Sequence, residues 1–387
     1  MYIDRHAGSR QGITVRVMFD SQIFCSQRFG GISRYIVSIA AKMENLGNVV
    51  PRVVAPFHYN ELLGQLPKAM VYGRKIPVLE HSTLVAYAAS AFPARIAQRR
   101  FRPDIVHSTY YYPTMRSAGA ANIVTVHDMI HEKYPSGLSG GSLIARWKAA
   151  SVSRADHVIC VSENTRRDVL STYGVDENRV SVTHLGCDVG APTPTEEAWN
   201  SFRDRVLGSN RPYILYVGSR VGYKNFDGLL YAYATSSLLR NNFRLLCFGG
   251  GDFSSAERLA ILRANVAEGV KYVSGSDCEL AGCYSHASLL VCPSYYEGFG
   301  LPPLEAMSFD CPAACSDTGS LPEVVGDAAL TFDPGYPEAI REAIETVLSS
   351  PSLAATLVER GRVRVRKFSW QKCAQNTVEV YRSVLGR

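Results

Sequence analysis

At 387 residues the chain is too long for one ordinary hydrophobic core, so two domains are expected. Hydrophobic residues at 46% and charged residues at 20% exclude a disordered or low-complexity chain, and the longest apolar stretch, LVAYAASAFPA, stops at Pro93, too short to cross a bilayer. The net charge of +6 is uneven: residues 1–190 carry 22 Lys/Arg against 14 Asp/Glu, and the remainder 19 against 21. The basic first half suits an anionic partner such as membrane lipid or a phosphorylated acceptor, while no recognition module points to nucleic acid.

The first fourteen residues hold no apolar leader region, so a cytoplasmic chain without a transmembrane anchor is expected, with peripheral contact at an anionic inner membrane. ARIAQRRFRPD, with Arg95, Arg99, Arg100 and Arg102, is the expected contact patch. The ten cysteines form no CxxC pair and several sit in apolar runs such as LLVCPS, which reads as reduced core thiols and neither a zinc site nor a disulfide framework.

In chain order, β-branched runs recur as VRVMFD (15–20), PRVVAP (51–56), DIVHS (104–108), NIVTVHD (122–128), HVICVS (157–162) and RVSVTH (179–184), most of them separated by helical patterns. A second series runs PYILYVGS (212–219), FRLLCFGGG (243–251), VKYVSG (270–275), ASLLVCPS (287–294), PAACS (312–316) and ALTFDP (329–334). Apolar strands alternating with helices imply parallel sheets covered on both faces. The expected organisation is an α/β chain of two Rossmann-like, doubly wound domains facing a cleft: residues 1–190, a Gly/Pro-bearing linker at 191–211, a second domain at 212–368, and a terminal amphipathic helix at 369–387.

Ligands of open parallel sheets bind beyond the carboxyl ends of the strands, so the residues just after each strand carry the chemistry. After the first strand, Gly30 and Gly31 precede a helix; close approach to a phosphate or sugar and a plain tight turn both explain them. After the fourth, His127 and Asp128 stand at the strand end, where a satisfied histidine and a site residue are both open readings. Arg220 and Lys224 follow the first strand of the second series, as two cations suited to a diphosphate or as a solvated loop. SYYEGFGLPPLEA, Ser294–Ala306, places Glu297 on a Gly-rich loop, leaves the amides around Phe299, Gly300 and Leu301 available to an anion, and puts Glu305 in the first turn of a helix begun by Pro302 and Pro303.

Glu297-x7-Glu305, with YVGSRVGYKN upstream and FGGISRY and VTVHD earlier, strongly resembles the retaining glycosyltransferases of family 4, which have the GT-B fold; the likeness spans nearly the whole chain. The resemblance implies a nucleoside-diphosphate sugar held mainly by the second domain, an acceptor held by the first, and a terminal helix that crosses back to the first domain. It implies diphosphate contacts from Arg220 and Lys224, ribose contacts from Glu305, donor-sugar contacts from Glu297, a His127 contact near the reacting carbon, and Gly30 and Gly31 at the donor–acceptor junction. Asp128 is the expected acceptor contact. The interval from Arg220 to Lys224 is four residues, whereas many relatives have five or six.

The resemblance further implies retention without a covalent intermediate, no metal and no cofactor. The style of the chain is similar to bacterial polysaccharide and O-antigen mannosyltransferases, so GDP-mannose is the expected donor, with UDP-sugars open, and a glycan or lipid-linked glycan the acceptor. A sugar-nucleotide epimerase of the same fold and a non-catalytic sugar-nucleotide binder are the alternatives. A phosphorylase is disfavoured, since no pyridoxal-phosphate signature is present.

Overall fold

The computed structural model describes residues 14–77, 83–113, 119–135, 141–208 and 210–386; most of the amino-terminal stretch read above lies outside these. Two sheets form. The first contains β1 (Val15–Phe19), β2 (Val49–His58), β3 (Val71–Lys75), β4 (Ile105–Ser108), β5 (Ala121–Val126), β6 (His157–Cys160) and β7 (Val180–Val182), in spatial order β3-β2-β1-β4-β5-β6-β7. The second contains β8 (Tyr213–Val217), β9 (Arg244–Phe248), β10 (Val270–Val273), β11 (Leu289–Cys292), β12 (Ala313–Ser316) and β13 (Leu330–Phe332), in order β10-β9-β8-β11-β12-β13.

The twelve expected strands all form. β3 is additional: VYGRK is exposed along most of its length, pairs in parallel with β2 at the sheet edge, and lacks the apolar run that announces a buried strand. Central strands are sealed on both faces; Leu289, Leu290, Val291 and Cys292 of β11 are all buried. Around them Ile214, Leu229, Tyr233, Leu245, Ile340 and Ile344 build one continuous core. All ten cysteines are free thiols and nine are buried. Burial pushes thiols such as Cys292 up to about 12, leaving them protonated and unreactive at neutral pH.

The expected linker is largely a helix. Glu196–Leu207 starts at Thr195, whose hydroxyl accepts from the Ala198 amide, ends at the left-handed Gly208, and buries Trp199, Phe202 and Leu207. Its apolar residues at helical spacing outweigh the Gly and Pro of the preceding GAPTPT.

By compactness the chain divides into a unit of Met1–Thr125, Trp147–Ile159 and Gln371–Arg387 and a unit of Val126–Arg146 and Cys160–Trp370. In the first, the terminal helix Trp370–Val384 supplies Tyr381, whose hydroxyl bonds Nδ1 of His107 on β4 while Nε2 of the same ring meets the Thr125 hydroxyl at 2.8 Å. In the second, the segment after β5 and the chain from Cys160 onward pack with the second sheet, which brings His127 and Asp128 into the same body as Glu297. Among the described residues no helix is long and apolar enough to cross a membrane.

Candidate active site at the carboxyl edge of the second sheet

The order of the second sheet reverses between β8 and β11, which pair in parallel through Leu289 with Ile214 and Leu290 with Leu215. Such a reversal opens a crevice at the carboxyl edge, because the connections leave towards opposite sides. The loops that leave β8 and β11 there contain Lys224 and Glu297.

Beyond β8 a single turn of tight helix, Gly222–Lys224, ends at Asn225, which is left-handed (φ 53°) and donates its side-chain amide to the Pro334 carbonyl at 2.9 Å. This turn is tied to the β11 loop through the Tyr295 amide, which donates to the Tyr223 carbonyl at 2.8 Å. Lys224 Nζ thereby reaches both carboxylate oxygens of Glu297, at 2.7 and 2.9 Å, and the Ser294 hydroxyl donates to Glu297 Oε1 at 2.6 Å. Burial by itself would lower the Lys224 pKa, but the adjacent Glu297 carboxylate outweighs it and holds the ammonium protonated.

The Glu297 loop is fixed by hydroxyl groups. Ser320 Oγ lies 2.9 Å from the Glu297 carbonyl and 2.8 Å from that of Phe299, while Ser162 and Thr165 hydroxyls donate to the Gly298 carbonyl at 2.7 and 3.1 Å. Each carbonyl so held turns the amide of its own trans peptide away from its partner, so the Gly298 and Gly300 amides face away from Ser320 and the Phe299 amide faces away from Ser162 and Thr165. The helix Leu301–Ser308 begins next, at left-handed Gly300 (φ 99°), and its first-turn amides have no intrahelical acceptor. These first-turn amides are donors suited to an anion at the start of the helix.

Close packing explains one glycine in this loop. A methyl on Gly298 would stand 1.8 Å from the His127 carbonyl oxygen and 2.8 Å from Cβ of Asp128. His127 is nearly buried, and Asp128 Oδ1 accepts from the Ile130 amide at 3.1 Å, which starts the short helix Ile130–Lys133. From that helix Lys133 pairs with Asp168 at 2.8 Å, and the Tyr296 hydroxyl donates to the same carboxylate at 2.6 Å. The segment after β5 and the Ser320 hydroxyl therefore both hold the Glu297 loop.

Two sequence expectations meet different geometry. Arg220 was expected to present its donor fork to an anion. Instead Nε pairs with Glu257 at 2.7 Å, Nη1 donates to the Gly249 carbonyl at 3.0 Å, and Nη2 donates to the carbonyls of Gly251 and Asp252 at 2.6 and 3.1 Å. The side chain is 2% exposed and stacks over Phe253, so an anion would have to displace protein acceptors to reach it. Glu305 was expected in the first helical turn; the helix starts at Leu301, no acid lies in its first turn, and Glu305 is one turn further in, with the Tyr284 hydroxyl donating to its Oε2 at 2.8 Å.

Phe299 is buried with its ring 6.0 Å from His184 and 5.7 Å from Phe368, so the side chain anchors the loop and its backbone carries the polar function. In the other unit, Gly30 has an extended backbone (φ 174°), and Gly31 opens the helix Gly31–Met43 with space around its α-carbon. Ser162, Thr165, Ser294 and Ser320 were not among the residues read from sequence. Single hydroxyls scattered over distant loops carry no spacing signal.

Comparison with known proteins agrees with this architecture. Residues 29–190 match the model described as Glycosyltransferase Family 4, and residues 197–364 the model for Glycosyl transferases group 1. The chain is 28% identical over 369 residues to O-antigen chain mannosyltransferase B of Escherichia coli, covering 91% of this chain and 96% of that protein. It is 30% identical over 308 residues to alpha-maltose-1-phosphate synthase of Mycolicibacterium smegmatis, covering 72% and 79%. Among solved structures, sucrose-phosphate synthase of Thermosynechococcus elongatus superposes with a TM-score of 0.75 at 21% identity, covering 96% and 99%. WaaG, a glycosyltransferase involved in lipopolysaccharide biosynthesis, superposes with 0.71 at 19% identity, covering 94% and 99%. With two parallel-sheet domains, both family models and these relatives in agreement, the chain belongs to the GT-B group 1 glycosyltransferases.

Proposed function

We propose that this glycosyltransferase moves a hexose, mannose in the first instance, from a nucleoside-diphosphate sugar to a glycan or lipid-linked glycan of a bacterial surface polysaccharide, with retention and without a metal. GDP-mannose is the favoured donor, a choice supported by the name of the Escherichia coli relative. The observation that carries the reading is Lys224 beside Glu297 at the switch point of the second sheet, next to the first-turn amides of the helix Leu301–Ser308.

In this reading the diphosphate takes the Lys224 ammonium away from Glu297 and lies against the helix-end amides. Glu297, relieved of its partner, accepts from hydroxyls of the donor sugar, and Glu305 accepts from the ribose. Transfer breaks the bond from the anomeric carbon to the diphosphate oxygen and forms a bond from that carbon to the acceptor oxygen on the same face, while the acceptor proton passes to the departing phosphate. Negative charge develops on the leaving group, where a fixed ammonium and preoriented amides contribute most. The His127–Asp128 segment, packed on Gly298, holds the sugar side of the site, with Asp128 towards the acceptor. Arg220 acts through the Gly249–Asp252 turn that it pins, without touching the donor.

Thermal shift against a panel of nucleoside diphosphates and their sugars tests the donor class, since a ligand that binds only the folded chain raises the midpoint. The reading requires GDP and GDP-mannose to give the largest shifts. A larger shift from UDP-sugars moves the donor assignment, and a shift from none removes the proposed function.

A further inference from the structure

The turn that carries Ser320 runs on into the short helix Leu321–Val325, where Glu323 meets an element far from it in the chain. Its Oε1 accepts from the Glu163 amide at 2.9 Å and its Oε2 from the Asn164 amide at 3.2 Å, the first two residues of the helix Glu163–Tyr173. The next amide of that turn, Thr165, is taken by the Ser162 hydroxyl at 3.0 Å. His184 Nε2 stands 2.6 Å from Glu323 Oε1, and its ring packs against Phe299 of the Glu297 loop. Burial by itself would raise the Glu323 pKa, but His184 and the two amides outweigh it and hold the carboxyl below the usual glutamate range. Arg364 anchors the backbone of the same turn by donating to the carbonyls of Glu323 and Val324, the latter at 2.8 Å.

Consecutive carbonyls of the Glu297 loop are held by these two elements in alternation, those of Glu297 and Phe299 by Ser320 and that of Gly298 by Ser162 and Thr165. Asp168 of the same helix also accepts from the Tyr296 hydroxyl, so the helix grips the loop at two points. The Glu323 carboxylate joins the two elements directly, three positions from Ser320 at one end and on the amides next to Ser162 at the other. We propose that Glu323 is a positioning residue for sugar transfer: it fixes the separation of the Ser320 hydroxyl from those of Ser162 and Thr165, and thereby the place of the Glu297 carboxylate. The assignment rests on the reading of Glu297 as a contact to the donor sugar. Hydrogen bonds to an ionised carboxylate are short and strong, and a helix amino end favours a negative partner, so a carboxylate suits this joint better than a neutral group. Without it, slip between the two elements passes into the loop, and a slip of about 1 Å costs about two orders of magnitude in turnover. A glutamate that served stability alone would leave the turnover of the folded chain unchanged.

Steady-state kinetics of the full chain with the nucleotide sugar it turns over tests this, beside hydrogen–deuterium exchange of residues 294–308. Glu323→Ala should lower kcat about a hundredfold while KM changes by less than about threefold. Glu323→Gln keeps the shape and one acceptor oxygen, so it should recover to about tenfold below the wild type. Ser162→Ala with Thr165→Ala removes hydroxyls through which Glu323 acts, and adding Glu323→Ala to that pair should cost less than about threefold more. Exchange across residues 294–308 should quicken in Glu323→Ala, while the strand Leu289–Cys292 keeps its protection. Wild-type turnover and wild-type exchange in Glu323→Ala overturn the proposal. So does a triple variant whose loss is the product of the two separate losses. If Glu323→Ala does not fold, Glu323→Gln decides by the same comparisons, and kinetics and exchange equal to the wild type overturn the proposal there. A wild-type chain that turns over no nucleotide sugar removes the proposed function, while exchange still decides whether Glu323 holds the loop.

Discussion

Lys224 and Glu297, 73 positions apart in sequence, form a two-oxygen ion pair at the carboxyl edge of two neighbouring parallel strands. Both side chains are largely withdrawn from solvent, so removing either leaves a buried charge without its partner. Lys224→Met or Glu297→Leu alone should destabilise the chain by about 3 kcal/mol, and the double substitution should recover most of that loss. Urea unfolding of the four proteins completes the cycle; additive losses would show that the pair is not coupled.

The geometry of Arg220 separates architecture from chemistry. Its four bonds to Glu257 and to the Gly249, Gly251 and Asp252 carbonyls hold the turn after β9. Arg220→Ala should therefore lower the melting temperature, with a loss of about 3 kcal/mol from an unpaired Glu257 and freed carbonyls. Michaelis constants and turnover near their wild-type values at a temperature where the variant is folded would support a purely positioning role. A hundredfold loss of turnover without loss of stability would place Arg220 on the phosphate after all.

Acid should loosen the same turn. Burial pushes the Glu257 pKa upward, but the Ser254 amide, the Ser254 hydroxyl and the Arg220 guanidinium together outweigh it and hold the carboxyl below the usual glutamate range. A depressed folded pKa gives stability that is present above the unfolded value of 4.5 and lost as pH falls through the folded one. Melting temperature followed from pH 6 down to roughly pH 3 should fall less steeply in Glu257→Gln than in the wild type. Equal slopes would remove Glu257 from the acid response.

Gly298 is required by close approach to the chain of His127. Gly298→Ala cannot be accommodated without moving either the Glu297 loop or the segment after β5. Turnover should drop about a hundredfold, the scale of a displacement near 1 Å in a catalytic constellation. Steady-state kinetics with the sugar nucleotide reads this, and an unchanged turnover number would mean that the two segments do not act together.

Glu305 and Glu297 should give separable defects. Glu305→Gln should weaken binding of the bare nucleoside diphosphate by about 1–3 kcal/mol, whereas Glu297→Ala should leave that binding nearly intact and depress turnover of the full donor. Calorimetry beside kinetics distinguishes them; identical losses for both variants in both assays would make the pair structural.

Much of this was legible because parallel strands buried on both faces leave unmistakable apolar runs, and because SYYEGFGLPPLEA concentrates special backbone and acids in one stretch. β3 escaped since an exposed edge strand such as VYGRK has nothing to bury, and the helix Glu196–Leu207 was hidden behind the prolines that precede it. Arg220 shows the main limit. A cation after a strand reads the same whether it faces a ligand or its own carbonyls, and only the fold brings Glu257 and the Gly249–Asp252 turn around it. The hydroxyl staples at Ser162, Thr165 and Ser320 were invisible for a related reason, each being one ordinary residue until three loops converge.

The most direct test is the rate at which GDP appears from GDP-mannose with the wild-type chain and with Lys224→Ala. The wild type should release GDP, and the variant should do so about 100- to 1,000-fold more slowly, the scale of losing one preorganised donor to a developing anion. Release by Lys224→Ala within threefold of wild type, or no release by the wild type from any nucleotide sugar, would contradict a donor site built on Lys224 and Glu297.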